Sequence, residues 1–304
     1  MVRARPFADA AKRDPDNASP AVTTAAIGVS GGFVTKPDSQ HLNGVMFIRK
    51  LGTAAVVLLA IVCPSCFPSA ALAQQPVVVE LFTSEGCSSC PPADALLVEL
   101  TRQRMAGNAE LILLGEHVEY WNSPGWTDRF SAPIFTQRQS DYVQELHLAT
   151  AYTPQIVIDG HLQGVGNDSA GVRRLIAQAA TSPKPASVSL RFVSPGKLQV
   201  NVEDSSHGRQ GVLFAITEDD LTTNVKGGEN GGRVLKHGAV VRELKPLGNT
   251  SSGKFETTVD VPAKSDWKKQ SLRAVVVVQN PSSGLILGAA SIPYPLEATA
   301  AIGR

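Results

Sequence analysis

Residues 77–92 read VVVELFTSEGCSSCPP. The first six, 77–82, form a β-branched apolar run with the composition of a buried strand. Residues 83–86 make a turn. Cys87 and Cys90 follow with two serines between them, and Pro91 and Pro92 open the next segment. Proline is tolerated in a first helical turn, whose N–H groups lack intrahelical partners. Leu96, Leu97, Leu100 and Arg104 recur at helical spacing with Met105 beside them, and Gly107 is the expected stop. The two cysteines therefore stand where a strand hands over to a helix.

Working outward, residues 110–114 read as the next strand. Ser131 is the expected cap of a helix running to about Leu148, with Phe135, Tyr142, Val143 and Leu146 on one face. Residues 155–159 form a strand, Gly160 turns, and residues 161–165 return antiparallel. Asp168 or Ser169 opens a helix carrying Val172, Leu175, Ile176 and Ala179. The predicted order is β-α-β-α-β-β-α, a parallel crossover followed by a hairpin.

After Pro183-Lys184-Pro185 the texture changes. Short strand-like runs at 188–192, 198–202, 212–217, 240–244, 255–261, 272–279 and 285–292 are separated by Gly, Pro, Asn and Ser turns, the pattern of a β-sandwich. The expected fold class is thus an α/β domain over 76–182 followed by an all-β, sandwich-like domain over 186–295 and a flexible tail at 296–304. Residues 227–232 are glycine-rich but lack a following Gly-Lys-Ser/Thr helix start, so they read as a mobile connection and not a phosphate loop.

Upstream, residues 46–73 carry a basic start (Arg49, Lys50), an apolar run too short to span a bilayer comfortably, and a small-x-small site at Ala71-Leu72-Ala73. This is the order of a secretory signal peptide. It implies export to the periplasm or medium of a bacterium, with no stable membrane span after cleavage. Residues 1–45 are polar and aperiodic, which reads as a disordered extension. They fit either a mis-assigned start, with translation beginning at Met46, or a long leader. Lipidation at Cys63 or Cys66 fits less well, since neither has both the small and the apolar residue such sites prefer.

The chain has 28 Lys and Arg against 27 Asp and Glu, a formal charge of +1, and 6% aromatic residues. That leaves no electrostatic footprint for nucleic acid and no polybasic face for a membrane. Chemistry is left to the cysteines. Four occur, and cleavage after Ala73 removes Cys63 and Cys66. A bond between Cys87 and Cys90 would close almost no chain, so it would stabilise the fold little through loop entropy. A helix N-terminus, by contrast, favours a thiolate and lowers a cysteine pKa from about 8.5 toward 7. Cys87 is assigned as the attacking sulfur and Cys90 as the resolving one. The expected partners are protein thiols or disulfides, with no cofactor. His117 follows the neighbouring strand. It would either bond a thiolate, join Cys87 and Cys90 on Cu(I), or pin the long loop after it. An inert disulfide in a secreted interaction protein is a third reading. Trp121 and Trp126 read as packing residues, Glu85 as a solvated loop charge, and His237 as unassigned.

Strand, Cys-x-x-Cys at a helix start and Thr-Pro before a later strand together resemble the thioredoxin fold over residues 76–181. The resemblance implies that Pro154, preceded by Thr153, is cis and faces the cysteines. It also implies a buried acid for proton transfer. Glu80 is the candidate; its spacing to Cys87 is one residue longer than expected, so strand alternation leaves two readings, a proton relay or an acid turned the wrong way and solvated or salt-bridged. The segments ELFTSEGCSSCPPAD, HVEYWNSPGWTDRFS, RQSDY, YTPQIVIDG and GGENGGRVLKHGAVVR are similar to a secreted family known as domain of unknown function 1223. That similarity implies fold and export, not a substrate.

Overall fold

A computed structural model describes residues 75–123 and 125–296. The extension 1–45, the signal-like segment 46–73 and tail residues 297–304 lie outside the described residues.

Strand β1 (Gln75–Thr83) is followed by α1 (Pro91–Gln103), the two-residue β2 (Met105–Ala106), β3 (Ala109–His117), α2 (Pro133–Glu145), β4 (Gln155–Ile158), β5 (Leu162–Val165) and α3 (Ser169–Ala179). Apart from β2, this is the expected order. β1 pairs parallel with β3, placing Thr83 beside His117, and antiparallel with β4, which pairs with β5. Helix α1 starts on the two prolines but stops before Gly107. Arg104 takes the left-handed conformation and returns its N–H to the Leu100 carbonyl. Gly107 serves the tight β2–β3 turn instead. Ser131 does not cap α2: Ala132 holds that position, and the helix ends at Glu145. Asp168 does cap α3, accepting from the Gly171 N–H at 2.9 Å.

The second half contributes β6 (Ala186–Ser194), β7 (Lys197–Asp204), β8 (Gly211–Glu218), β9 (Leu221–Asn224), β10 (Val234–His237), β11 (Val240–Asn249), β12 (Lys254–Asp260), β13 (Leu272–Gln279) and β14 (Ile286–Pro293). Strands β12, β7 and β6 form a small sheet, and β9 and β10 a hairpin around the glycine-rich segment. The remaining strands do not build a separate sandwich. They extend the first half's sheet in the order β14-β13-β8-β11-β3-β1-β4-β5. The residues 183–185 that mark a boundary in sequence therefore mark none in the mixed α/β sheet. Lys184 instead pairs with buried Asp159, whose other oxygen accepts the Val78 N–H.

Alternation along the strands sorts the core. Val77, Val79 and Leu81 face α1 and α3 with Leu111, Leu113, Ile156 and Ile158. Val78, Ile112 and Leu114 face the other way and join Phe135 of α2 with Ala215, Val241 and Val275 in one continuous apolar face. The small sheet covers Phe214, Ile216 and Val276. Odd-numbered residues of β1 therefore point toward the helix that carries the cysteines.

Candidate functional site

β1 ends at Thr83, and the Cys87 N–H returns to the Ser84 carbonyl at 3.2 Å. Cys90 occupies the N-cap of α1 and its carbonyl accepts the N–H groups of Ala93 and Asp94. Cys87 and Cys90 are joined by a disulfide with their Cα atoms 5.4 Å apart. Both are fully buried, while Ser88 and Ser89 between them are exposed.

The Thr153–Pro154 peptide bond is cis. It lies beside the cysteine loop: the Ser89 hydroxyl is 3.4 Å from both the Cys87 sulfur and the Thr153 carbonyl oxygen. Gly166 marks how closely the proline approaches α1. A Cβ there would sit 3.2 Å from both the Pro154 Cβ and the Ala93 Cβ. Trp121 donates its indole N–H to the Thr153 hydroxyl at 2.7 Å, and the same residue packs against Gly86.

A buried polar cluster lies against the turn that precedes Cys87. His117 and Asp128 meet at 2.7 Å through Nδ1 and Oδ2. The Asp128 carboxylate also accepts the N–H groups of Glu85 and Phe130, at 2.8 and 2.9 Å. Burial opposes its charge, but the His117 imidazolium and these two N–H donors pull its pKa down to about 2. His117 shifts the opposite way. Burial disfavours its charge, yet Asp128, with Asp94 and Glu85, holds its pKa above the ordinary imidazole value.

Asp94 stands one turn into α1 and takes the Thr83 hydroxyl on Oδ1 at 2.9 Å. Its Oδ2 is buried with no hydrogen-bond partner among the described residues. Burial raises its carboxyl above the ordinary value, against the pull of His237, His117 and the Thr83 hydroxyl. Glu85 accepts the Trp126 indole N–H at 3.1 Å and stands 3.4 Å from Nε2 of His237. The His237 ring lies 5.0 Å from that of His117.

Several sequence expectations change here. Glu85 is not a solvated loop charge but fully buried. Glu80 is buried on the face opposite α1. The Tyr142 hydroxyl donates to its Oε1 and Arg138 binds its Oε2, with Glu116 alongside. Burial, then the neighbouring Glu80 charge, raises the Glu116 carboxyl well above the ordinary value. Glu80 is thus committed to Arg138 and Tyr142 and is not placed to exchange protons with a cysteine. His117 contacts Asp128 and not a sulfur, and among the described residues no three His, Cys, Asp or Glu side chains are set to hold a metal. The Cu(I) arrangement of Cys87, Cys90 and His117 has no geometric support.

Sequence reasoning missed Asp94, Asp128 and Asn230 and left His237 unassigned. Asn230 is fully buried and donates from Nδ2 to the carbonyls of Glu85 and Cys87, each at 2.9 Å. Its only sequence signal is a polar residue inside a glycine-rich run.

The chain matches the family model described as "Protein of unknown function (DUF1223)" over residues 78–279. No curated protein matches the sequence significantly. Among solved structures, an Agrobacterium tumefaciens protein from a structural-genomics programme is 27% identical with a TM-score of 0.60, aligning 73% of this chain with 96% of its own. A DUF3823 family protein from Bacteroides ovatus is 15% identical with a TM-score of 0.23, over 36% of this chain and 53% of that one. A domain of the outer membrane lipoprotein Omp28 from Porphyromonas gingivalis is 14% identical with a TM-score of 0.21, over 37% and 88%. The last two scores are too low to bear on this chain.

Proposed function

We propose that this chain, which belongs to the DUF1223 family of proteins of unknown function, is an exported thiol–disulfide exchange protein on a thioredoxin-like scaffold. The observation that carries the reading is the disulfide at the N-terminus of α1 with the cis Thr153–Pro154 bond linked to it through Ser89. In the reduced protein the helix N-terminus favours a Cys87 thiolate. That thiolate attacks a partner disulfide and forms a mixed disulfide, releasing one partner thiolate. Cys90 then attacks the Cys87 sulfur, restores the intramolecular bond and releases the second partner thiolate. Two electrons pass from the cysteine pair to the partner, and the reverse sequence oxidises a dithiol.

Cys90 must lose a proton before it attacks. Asp94 lies four residues further along α1, on the same helix face, and helical side chains lean back toward the N-terminus. Its buried oxygen, unpartnered among the described residues, makes it, rather than Glu80, the acceptor in this reading. Export to the periplasm or medium rests on the pattern of residues 46–73. Among the described residues no helix is long and apolar enough to cross a membrane.

The test is trapping. Cys90→Ser, exposed to disulfide-bearing exported proteins, is expected to hold covalent partners through Cys87 that dithiothreitol releases, and Cys87→Ser to hold none. Wild-type protein is expected to catalyse insulin reduction. Absence of both trapping and catalysis would leave the second reading, an inert disulfide in a secreted interaction protein, which the complete burial of both cysteines favours.

A further inference from the structure

The loop joining β9 to β10 crosses the molecule to the cysteine turn. Between Lys226 and Val234 only Asn230 is buried. Its amide ties the carbonyls of Glu85 and Cys87 together, while its Oδ1 accepts from Arg233 at 2.9 Å. Next to it, exposed Glu229 accepts the Ser88 backbone N–H at 3.0 Å. The Ser88 hydroxyl, and then this N–H, pull the Glu229 carboxyl below its ordinary value.

The loop is preshaped for this role. The Val225 and Gly232 N–H groups close it on the carbonyls of Arg233 and Val225, at 2.9 and 2.8 Å. Gly227 lies so close to Gly125 that a Cβ would fall 2.1 Å from its carbonyl oxygen. Side chains from about 140 residues away thus hold the carbonyl of Cys87 and the N–H of Ser88, the backbone groups that flank the attacking sulfur in the proposed reaction.

We propose that Glu229 and Asn230 are specificity-determining residues: they strap the Cys87–Ser88 turn closed, and a partner reaches Cys87 only by displacing them. The displacing group must offer an acceptor to the Ser88 N–H. An extended polypeptide does so with a backbone carbonyl or an acidic side chain. Dithiothreitol offers only its hydroxyl oxygens, weaker acceptors than either, and reduces the bond slowly while the strap is in place. No bond to sulfur changes in this step. Hydrogen bonds from Ser88 and Asn230 are exchanged for bonds to the partner or to water. The proposal rests on the exchange reading for its biological sense, but its test does not.

The test is the rate at which dithiothreitol reduces the oxidised protein, read by quenching with an alkylating agent and counting freed thiols by mass. Glu229→Ala and Asn230→Ala are each expected to react about tenfold faster than wild type, the scale of one or two net hydrogen bonds. Glu229→Gln retains an acceptor and is expected to stay within about threefold of wild type. The preference for a dithiol peptide over dithiothreitol should fall in the two alanine variants. Glu229 is exposed, so Glu229→Ala is expected to keep the fold. A purely stabilising strap would lower Tm and leave the reduction rate unchanged well below it. Rates within twofold of wild type in both alanine variants would overturn the proposal. Because dithiothreitol reports access whether or not the protein turns over a partner, loss of the exchange activity alone would not.

Discussion

His117 and Asp128 form a fully buried pair, Nδ1 to Oδ2 at 2.7 Å, against the turn that precedes Cys87. The pair sets a window of pH stability. Asp128 has a folded pKa of about 2, below its unfolded value near 3.8, so its contribution is present above about 4 and lost as pH falls toward 2. His117 is raised, so its contribution is full below about 6.5 and is lost as pH rises through its folded value. Tm followed across the pH range should rise from 2 to 4 and fall again on the alkaline side. Asp128→Asn should flatten the acid limb and lower stability by about 2 kcal/mol or more at pH 6. An acid limb unchanged in that variant would show that other carboxylates control it.

Asp94 shifts the other way, because burial favours its protonated form. On the exchange reading, Asp94→Asn should leave formation of the Cys87 mixed disulfide within about twofold of wild type and slow its resolution about 100-fold near pH 7. The deficit should shrink at high pH, where solvent removes the Cys90 proton. Rapid-quench alkylation separates the two steps, and equal slowing of both would point to a structural effect.

Glu80 should give the opposite result. Its carboxylate holds Arg138 and Tyr142 on the α2 face, so Glu80→Gln leaves the buried guanidinium only Glu116, 3.5 Å away, which must ionise in a buried site to compensate it. Urea denaturation should report a loss of about 3 kcal/mol. The exchange rate of the folded fraction should not change.

The continuous sheet makes a prediction about cooperativity. Gly160 has φ 72°, and a Cβ there would lie 2.0 Å from the Gly284 carbonyl oxygen, at the junction where the Ile286 N–H meets the Asp159 carbonyl. Gly160→Ala should cost about 2 kcal/mol or more, through a left-handed backbone and a backbone clash. Signals from Trp121 and Trp267, in the two halves of the chain, should shift together in one transition. Two separated transitions would contradict a shared core.

The sequence alone determined what is local. The apolar run of β1, the prolines that start α1, the order of strands and helices through α3 and the position of the cysteines at a strand–helix turn all follow from short-range periodicity and backbone preference. The alternation that turns Glu80 away from α1 was legible too, as one of two readings, since parity is a property of the strand itself. What the chain does beyond that depends on pairings that leave no periodic trace. A single bridge between Val240 and Gly115 joins β11 to β3 and makes one sheet of two apparent domains. The same joining brings His237 to Glu85 and Asn230 to Cys87 across more than 140 residues. Burial of Glu85 follows only once those distant segments are in place, because a loop glutamate is solvated until something covers it. Tertiary structure therefore decided the surroundings of the disulfide.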